Sequence, residues 1–197
     1  MGRPSSDARD RVLSVAVRHL TRAGISTITL DEIAHETGCA KGLVTYHFGS
    51  KDQLIVAAAE EILRVHEAEW LKALGAESFE AAVRQTWQTL VTEVREGFWR
   101  AWLSLAASRD RVIVHLVNNH TTKFVDLLRA ASESQIRTMG LEPTVSMADV
   151  GQFLAVGLQG MGLQLAAGVK QEVLEGAHSA LWIAVLGMTR PAGGRAR

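Results

Sequence analysis

Between Thr29 and Lys51 the chain reads TLDEIAHETGCAKGLVTYHFGSK, two short helical patterns parted at Gly38 and followed by a third helix start. Thr29 suits an N-cap, and Glu32 stands three residues on, where a carboxylate can reach back to the Thr29 amide. A helix is therefore expected to begin here, with Leu30, Ile33 and Ala34 on its apolar side. Gly38 accepts the positive φ that a sharp exit from one helix into the next requires. A second helix over residues 40–48 sets Val44 and Phe48 four apart on an inward face and leaves Lys41, Gly42, Leu43, Thr45, Tyr46 and His47 outward. A face so rich in donors is poor core material. Ser50 and Gln53 repeat the capping spacing, so a third helix opens with Lys51 in its first turn. Free amides at that terminus and the lysine charge together favour a phosphate. The arrangement is that of a helix-turn-helix that reads DNA, weighed against a compact three-helix module whose polar face is merely solvated.

The ordered string of Thr29, Ile33-Ala34, Gly38, Lys41-Gly42, Tyr46-His47-Phe48 and Lys51 resembles the TetR family of bacterial one-component transcriptional regulators, over roughly residues 8–55. Beyond that stretch only length and helical character carry the resemblance. It implies that Thr29, Tyr46, His47 and Lys51 hold DNA phosphates, while Lys41, Gly42, Leu43 and Thr45 lie against base edges. Two positions depart from the family pattern. Ala40 stands where a Ser or Thr often caps the recognition helix, and Thr45 where an aromatic is frequent, which puts one phosphate contact and the operator sequence in doubt.

The 197 residues carry a formal net charge of zero, which is unusual for a DNA binder until the charge is divided along the chain. Residues 1–51 hold seven Lys or Arg (Arg3, Arg9, Arg11, Arg18, Arg22, Lys41, Lys51) against five acids (Asp7, Asp10, Asp31, Glu32, Glu36). Positioned contacts, rather than a bulk field, are expected to supply the phosphate affinity. Gly2-Arg3-Pro4 precedes a first helix that Ser6 or Asp7 could cap; an arginine there is either a minor-groove arm or part of a disordered terminus. The start lacks an apolar targeting region. Cys39 is the single cysteine, so no disulfide framework exists within the chain, and packing explains it better than redox sensing.

The first helix, residues 6–23, places Val12, Ala16 and Leu20 on one face and closes at Gly24. From Ser50 a helical pattern runs to Leu74. It forms a rod from the reading pair into the second domain. Further helices are expected at about residues 79–96, 98–107, 111–139, 146–167 and 171–189, with no alternation long enough to propose a sheet. The fold class is therefore all-α. The division is a DNA-binding domain at residues 1–51, a helical ligand-binding and dimerisation domain at 52–190, and a polar flexible tail at 191–197.

Residues 145–169 hold Asp149 as their only charge, yet Gln152, Gln159, Gln164 and five glycines argue against a membrane span. A helix apolar on nearly all sides needs cover on nearly all sides. Its cover is expected from the last helix and, by the resemblance, from a twofold mate in a four-helix bundle. Gly157, Val173, Ala177, Leu181, Ala184, Val185 and Met188 are the candidate dimer residues. Whether the glycines near 160 line that interface or a ligand pocket stays open. Trp87, Phe98, Trp99, Trp102, Phe124, Phe153 and Met161, with His115, Asn119 and Gln159, are candidates for a sensor pocket, since such pockets are mostly apolar with a few placed polar groups. An ordinary core has the same composition.

No nucleophile elbow, paired-cysteine spacing or HExxH occurs, and His115 and His120 are five apart, off a shared metal-binding face. The expectation is thus a non-enzyme with no catalytic residues, no metal and no cofactor beyond a small-molecule effector. It is expected to be a cytoplasmic homodimer without membrane attachment that binds a double-stranded palindromic operator. Its resemblance implies a repressor released by a largely apolar or aromatic effector. The competing expectation is a dimeric DNA-binding protein with no ligand, whose C-terminal part serves only dimerisation or protein contacts.

Overall fold

The structure, a computed structural model, describes residues 4–193. Arg3 of the expected N-terminal arm and the tail arginines Arg195 and Arg197 lie outside the described residues. Helix α1 spans Pro4–Ala23, beginning ahead of both Ser6 and Asp7, because proline's fixed φ suits a first helical turn. After Gly24 a single 3-10 turn, Ile25–Thr27, leads into α2 (Leu30–Thr37) and α3 (Lys41–Phe48). The rest of the chain forms α4 (Lys51–Leu74), α5 (Phe79–Glu96), α6 (Phe98–Ala106), α7 (Arg111–Thr138), α8 (Met147–Ala166) and α9 (Gln171–Gly187). The all-α reading holds, and the helix ends fall within a few residues of where caps and glycines place them.

Two three-residue strands depart from it. β1 (Leu141–Pro143) and β2 (Thr189–Pro191) pair antiparallel, Glu142 opposite Arg190, with Arg190 Nε donating to Glu142 Oε1 at 2.7 Å. Neither is long enough to show an alternation. Pro191, read from sequence as the first residue of a free tail, is the last residue of β2, and Ala192 N–H donates to the Gly140 carbonyl at 2.9 Å.

The chain forms two compact units, the first running up to His66 with Glu96–Asn118 added, the second comprising Glu67–Arg95 and the residues from Asn119 onward. In the first unit, Val12, Ala16 and Leu20 of α1, Ile33 of α2, Val44 of α3, and Leu54 and Ala58 of α4 are fully buried. Helix α6 packs on α1. Its start is fixed at Gly97, whose φ is +85° and whose missing Cβ would press into the Thr21 carbonyl oxygen. Arg100 Nη1 then donates to the carbonyls of Thr21 (3.3 Å) and Arg22 (3.1 Å), and Ser104 Oγ accepts the Ile25 N–H at 2.8 Å. The last turn of α1 thus gains partners for carbonyls that a helix end leaves open.

In the second unit α8 and α9 pack as a hairpin. Gly157 backs directly onto Leu181, whose methyl carbons lie 2.8 and 2.9 Å from where a Cβ would sit. Trp70, fully buried, donates its indole N–H to Glu93 Oε1 at 2.6 Å and meets the Phe124 ring edge-on at 5.1 Å. His178 of α9 is 1% exposed and accepts the Trp182 indole N–H at Nε2 (3.1 Å), with the Thr86 hydroxyl 3.3 Å from the same nitrogen. No helix among the described residues is long and apolar enough to cross a membrane.

Candidate nucleic-acid interface

Helix α2 starts where Thr29 caps it, the Thr29 Oγ1 accepting the Glu32 N–H at 3.2 Å. The Glu32 carboxylate answers by taking the Thr29 hydroxyl at 2.8 Å, in place of the expected amide, so both halves of the contact share one oxygen. At its far end Gly38 adopts φ +67° and ψ +18°, the left-handed conformation a glycine reaches at least cost. Cys39 is half-buried in the turn, its Sγ 3.8 Å from the Thr37 carbonyl oxygen. Helix α3 begins after Ala40 as N-cap with no side-chain cap bond, so the departure from the family pattern at Ala40 leaves these first amides without a hydroxyl partner.

Val44 and Phe48 bury the inner side of α3, and the Arg9 guanidinium lies 5.2 Å over the Phe48 ring. His19 Nε2 at 2.6 Å and Arg18 Nη2 at 2.9 Å hold Glu36, strapping α1 to α2. These bonds keep the Glu36 carboxyl below its usual pKa, the His19 contact first and Arg18 second. The result is a braced frame with one open side. On that side Lys41, Gly42, Leu43, Thr45 and Tyr46 are all exposed, Tyr46 at 79%. Nothing lies within 4 Å of a Cβ built on Gly42, so the backbone there is open to close approach by a partner. The Lys41 ammonium is held by Asp31 at 2.8 Å, an exposed pair that is worth little and easily exchanged.

Thr29 and Lys51 are half-buried at the starts of α2 and α4, flanking α3, and Ser50 Oγ caps α4 by accepting the Gln53 N–H at 3.1 Å. His47 is placed differently from its outward neighbours. Its Nε2 is buried without a hydrogen-bond partner among the described residues, and Tyr46 meets its ring edge-on at 5.3 Å, so that nitrogen does not point to the open side.

The candidate pocket residues are drawn from both units. Phe98, Trp99 and Trp102 lie in the first unit, where Phe98 stacks on Trp102 (6.1 Å) and on the buried His66 (4.3 Å) and meets Trp99 edge-on (5.3 Å). These rings pack on one another. His115 is also in that unit. Trp87, Asn119, Phe124, Phe153, Gln159 and Met161 belong to the second, where Trp87 leans on His178 at 5.4 Å, Met161 is buried, and Phe153 is 39% exposed. Sequence reasoning passed over Trp70 and Glu93. The signal existed for Glu93, because Ala82, Thr86, Leu90 and Glu93 recur at helical spacing and all are buried.

The candidate dimer residues also divide. Leu181 and Val185 are 9% and 1% exposed, buried in the chain's own core, and Gly157 is taken up by Leu181. These three serve the chain's own packing, because α9 is apolar on two sides and its inward side is 174, 178, 181, 182 and 185. Ala184 and Met188 are half-buried. Val173 and Ala177 are exposed, as are Ile183 of α9 and Phe153, Val156 and Leu163 of α8, each set at helical spacing.

The pattern described as "Bacterial regulatory proteins, tetR family" matches residues 12–58, which span α1 to the first turns of α4. Over 56 residues the chain is 36% identical to the HTH-type transcriptional regulator BetI of Brucella anthropi, covering 28% of this chain and 29% of that protein. It is 33% identical over 55 residues to the uncharacterized HTH-type transcriptional regulator YerO of Bacillus subtilis, covering 28% of this chain and 19% of that protein. The matched stretch is thus under a third of either relative. A TetR transcriptional regulator from Chloroflexus aurantiacus shares the fold at a TM-score of 0.80 and 18% identity, covering 97% of this chain and all of that one (100%). A cysteine-substituted TetR-family regulator CifR, solved with 26-base-pair operator DNA, shares it at 0.73 and 19%, covering 89% and 95%. The module that carries the exposed α3 face, residues 12–58, is therefore similar in sequence to the bacterial regulatory proteins of the tetR family, and the chain shares the fold of solved TetR-family regulators.

Proposed function

We propose that this protein is a cytoplasmic, non-enzymatic transcriptional repressor that binds a palindromic operator as a homodimer and leaves it when a small effector binds. The observation that carries the DNA-reading part is the face of α3. Five outward positions from 41 to 46, interrupted by buried Val44, stand exposed on a frame whose other sides are packed. In this reading Thr29, Tyr46 and Lys51 hold phosphates, with His47 contributing through its half-exposed remainder, and Lys41, Gly42, Leu43 and Thr45 face bases. The likeness to a regulator solved on operator DNA supports it.

Homodimerisation rests on the apolar face of the α8–α9 hairpin. Val156, Val173 and Ile183 are 61%, 64% and 65% exposed, and Gly160 and Gly176 have open space where a Cβ would stand. A contiguous apolar face of this kind marks an interaction surface, and one with small residues permits close helix approach. Helix α4 contributes to both units, so it is the covalent route by which an effector could alter the spacing of two reading heads. Coupling of about 1–3 kcal/mol between effector and operator is typical and suffices to release a marginal complex.

Duplexes selected by the full chain from a random pool should carry two inverted half-sites with centres about 10 base pairs apart, or a multiple of that. Ile183→Glu should turn a sedimenting dimer into a monomer and weaken binding to the paired site by about a hundredfold, because the second head no longer binds at high effective concentration. Selected sites with a single half, or an Ile183→Glu protein that still sediments and binds as the parent does, contradict the reading. A regulator with no effector is the rival for the second unit. A metabolite panel in which no compound raises the melting temperature favours that rival.

A further inference from the structure

The reading side of α3 carries the charge of Lys41, and the chain itself already engages it. Lys41 is the first residue of α3 and Asp31 the second of α2. The turn between them brings the Lys41 ammonium to 2.8 Å from Asp31 Oδ1 and 2.9 Å from Oδ2. One ammonium therefore sits across both carboxylate oxygens.

Stability does not account for the pair. The Lys41 and Asp31 side chains are 55% and 77% exposed, and a pair so open to water contributes little to the fold. Asp31 also suits the positive end of α2, but that contribution needs no lysine. Neighbouring acids have structural tasks: Glu32 takes the Thr29 hydroxyl at the cap of α2, Glu36 straps α2 to α1, and Asp7 pairs with Arg11 along α1. Asp31 instead sets a carboxylate beside the face that the proposed function turns toward a polyanion, where a negative charge opposes binding.

The pairing separates two kinds of partner for Lys41. An ammonium has three donors, and two bonds to Asp31 leave one for a second acceptor. A DNA phosphate at that donor brings a full negative charge up to the Asp31 carboxylate, and like charges so close repel. Guanine N7 and O6 accept hydrogen bonds without a net charge, so they share the ammonium with Asp31 at no such cost.

We propose that Asp31 is a specificity-determining residue of the DNA-reading face, holding Lys41 so that the lysine is given to a guanine edge and withheld from phosphates. The carboxylate lowers affinity for DNA at large more than affinity for the chosen site, a repulsive element that raises selectivity. The inference rests on the DNA-reading role proposed above.

The test is equilibrium binding of the full chain to its selected duplex and to a random duplex across a salt series, for the parent, Asp31→Asn, Lys41→Ala and the double variant. Asp31→Asn should tighten the random duplex about two- to fivefold per reading head, the worth of an exposed ion pair. Its salt dependence on that duplex should steepen by about 0.9 for each lysine that gains a phosphate. The selected duplex should change less, so the ratio between the two falls. In the Lys41→Ala background the same substitution should alter neither the ratio nor the salt slope. Asp31→Glu, which keeps the charge, should keep the ratio near that of the parent. Loss of fold cannot imitate a tightened random duplex, because misfolding weakens binding. Equal tightening of both duplexes, or a change of ratio that persists without Lys41, overturns the inference. A selective parent whose preference Asp31→Asn leaves intact overturns this inference alone, whereas a parent with no preference among duplexes overturns the DNA-reading role and this inference with it.

Discussion

Gly97→Ala is expected to lower the stability of the chain by about 2–5 kcal/mol, an unusually large effect for one methyl group. About 1–2 kcal/mol comes from holding an L-residue in the left-handed region. Another 1–3 kcal/mol, roughly, comes from overpacking, because the new Cβ would press into the Thr21 carbonyl oxygen, and that atom is backbone at the end of α1. Relief requires α6 to withdraw from α1, which also stretches the Arg100 bonds to Thr21 and Arg22 and the Ser104 bond to Ile25. Gly38→Ala is the control. Its φ of +67° imposes the same backbone cost, but nothing lies within 4 Å of the added Cβ, so it should cost only the first contribution. Thermal melts read the difference at about 2–4 °C per kcal/mol for a chain of this size. Equal melting temperatures for the two variants would refute the steric role of Thr21.

Acid is expected to destabilise the protein well above the carboxylate range. Burial pushes the imidazoles of His120 and His178 down to about 4 from an ordinary value near 6.5, with Lys123 adding to the effect at His120. Both are therefore neutral in the fold, while the unfolded chain takes up protons at them as the pH falls from about 6.5 to about 4. Stability from these two groups is complete above about pH 6.5 and falls as the pH drops toward 4. A shift of this size corresponds to about 3 kcal/mol per histidine at the low end. His178 carries its burial cost because its neutral Nε2 accepts the Trp182 N–H, a role that protonation abolishes. Replacing it by Gln, whose side-chain oxygen also accepts, should remove its share of the slope of stability against pH. A urea-unfolding series from about pH 7.5 to about pH 4.5 that showed no decline in the parent, or an undiminished slope in His178→Gln, would count against this assignment.

Local chemistry wrote the helix boundaries plainly. Thr29, Ser50 and Ser146 cap helices through their own hydroxyls, and Gly38, Gly97, Gly140 and Gly168 sit at breaks with positive φ, so each end was legible from a residue type with a physical reason. The face of α3 was legible for the same reason, because Val44 and Phe48 are its only two buried residues and they are four apart. The hidden part depends on tertiary neighbours. α9 is apolar on both sides, so nothing in its pattern separates inward Leu181 and Val185 from outward Val173 and Ile183. The aromatic run from Phe98 to Trp102 suggested a ligand wall; its rings are buried against one another and Phe98 stacks on His66, partners that the local pattern does not disclose. His47 sits in the same outward-looking string as Tyr46, but a helical step turns its Nε2 inward. β1 and β2 are three residues each, too short for any periodicity.

The exposed side of α3 reads bases, in the proposed function, while the residues flanking it hold phosphates. Equilibrium binding of the full chain to its selected duplex and to a random duplex, across a series of salt concentrations, tests this division of roles most directly. Tyr46→Ala and Lys51→Ala should weaken both duplexes by similar factors, and Lys51→Ala should flatten the dependence of log affinity on log salt by about 0.9 for each phosphate that the lysine neutralises. Thr45→Ala should leave the random duplex unchanged and reduce the ratio between the two, by about 1–3 kcal/mol if it removes a base contact. A Lys51→Ala protein that binds both duplexes as tightly as the parent, with the same salt dependence, would contradict that division.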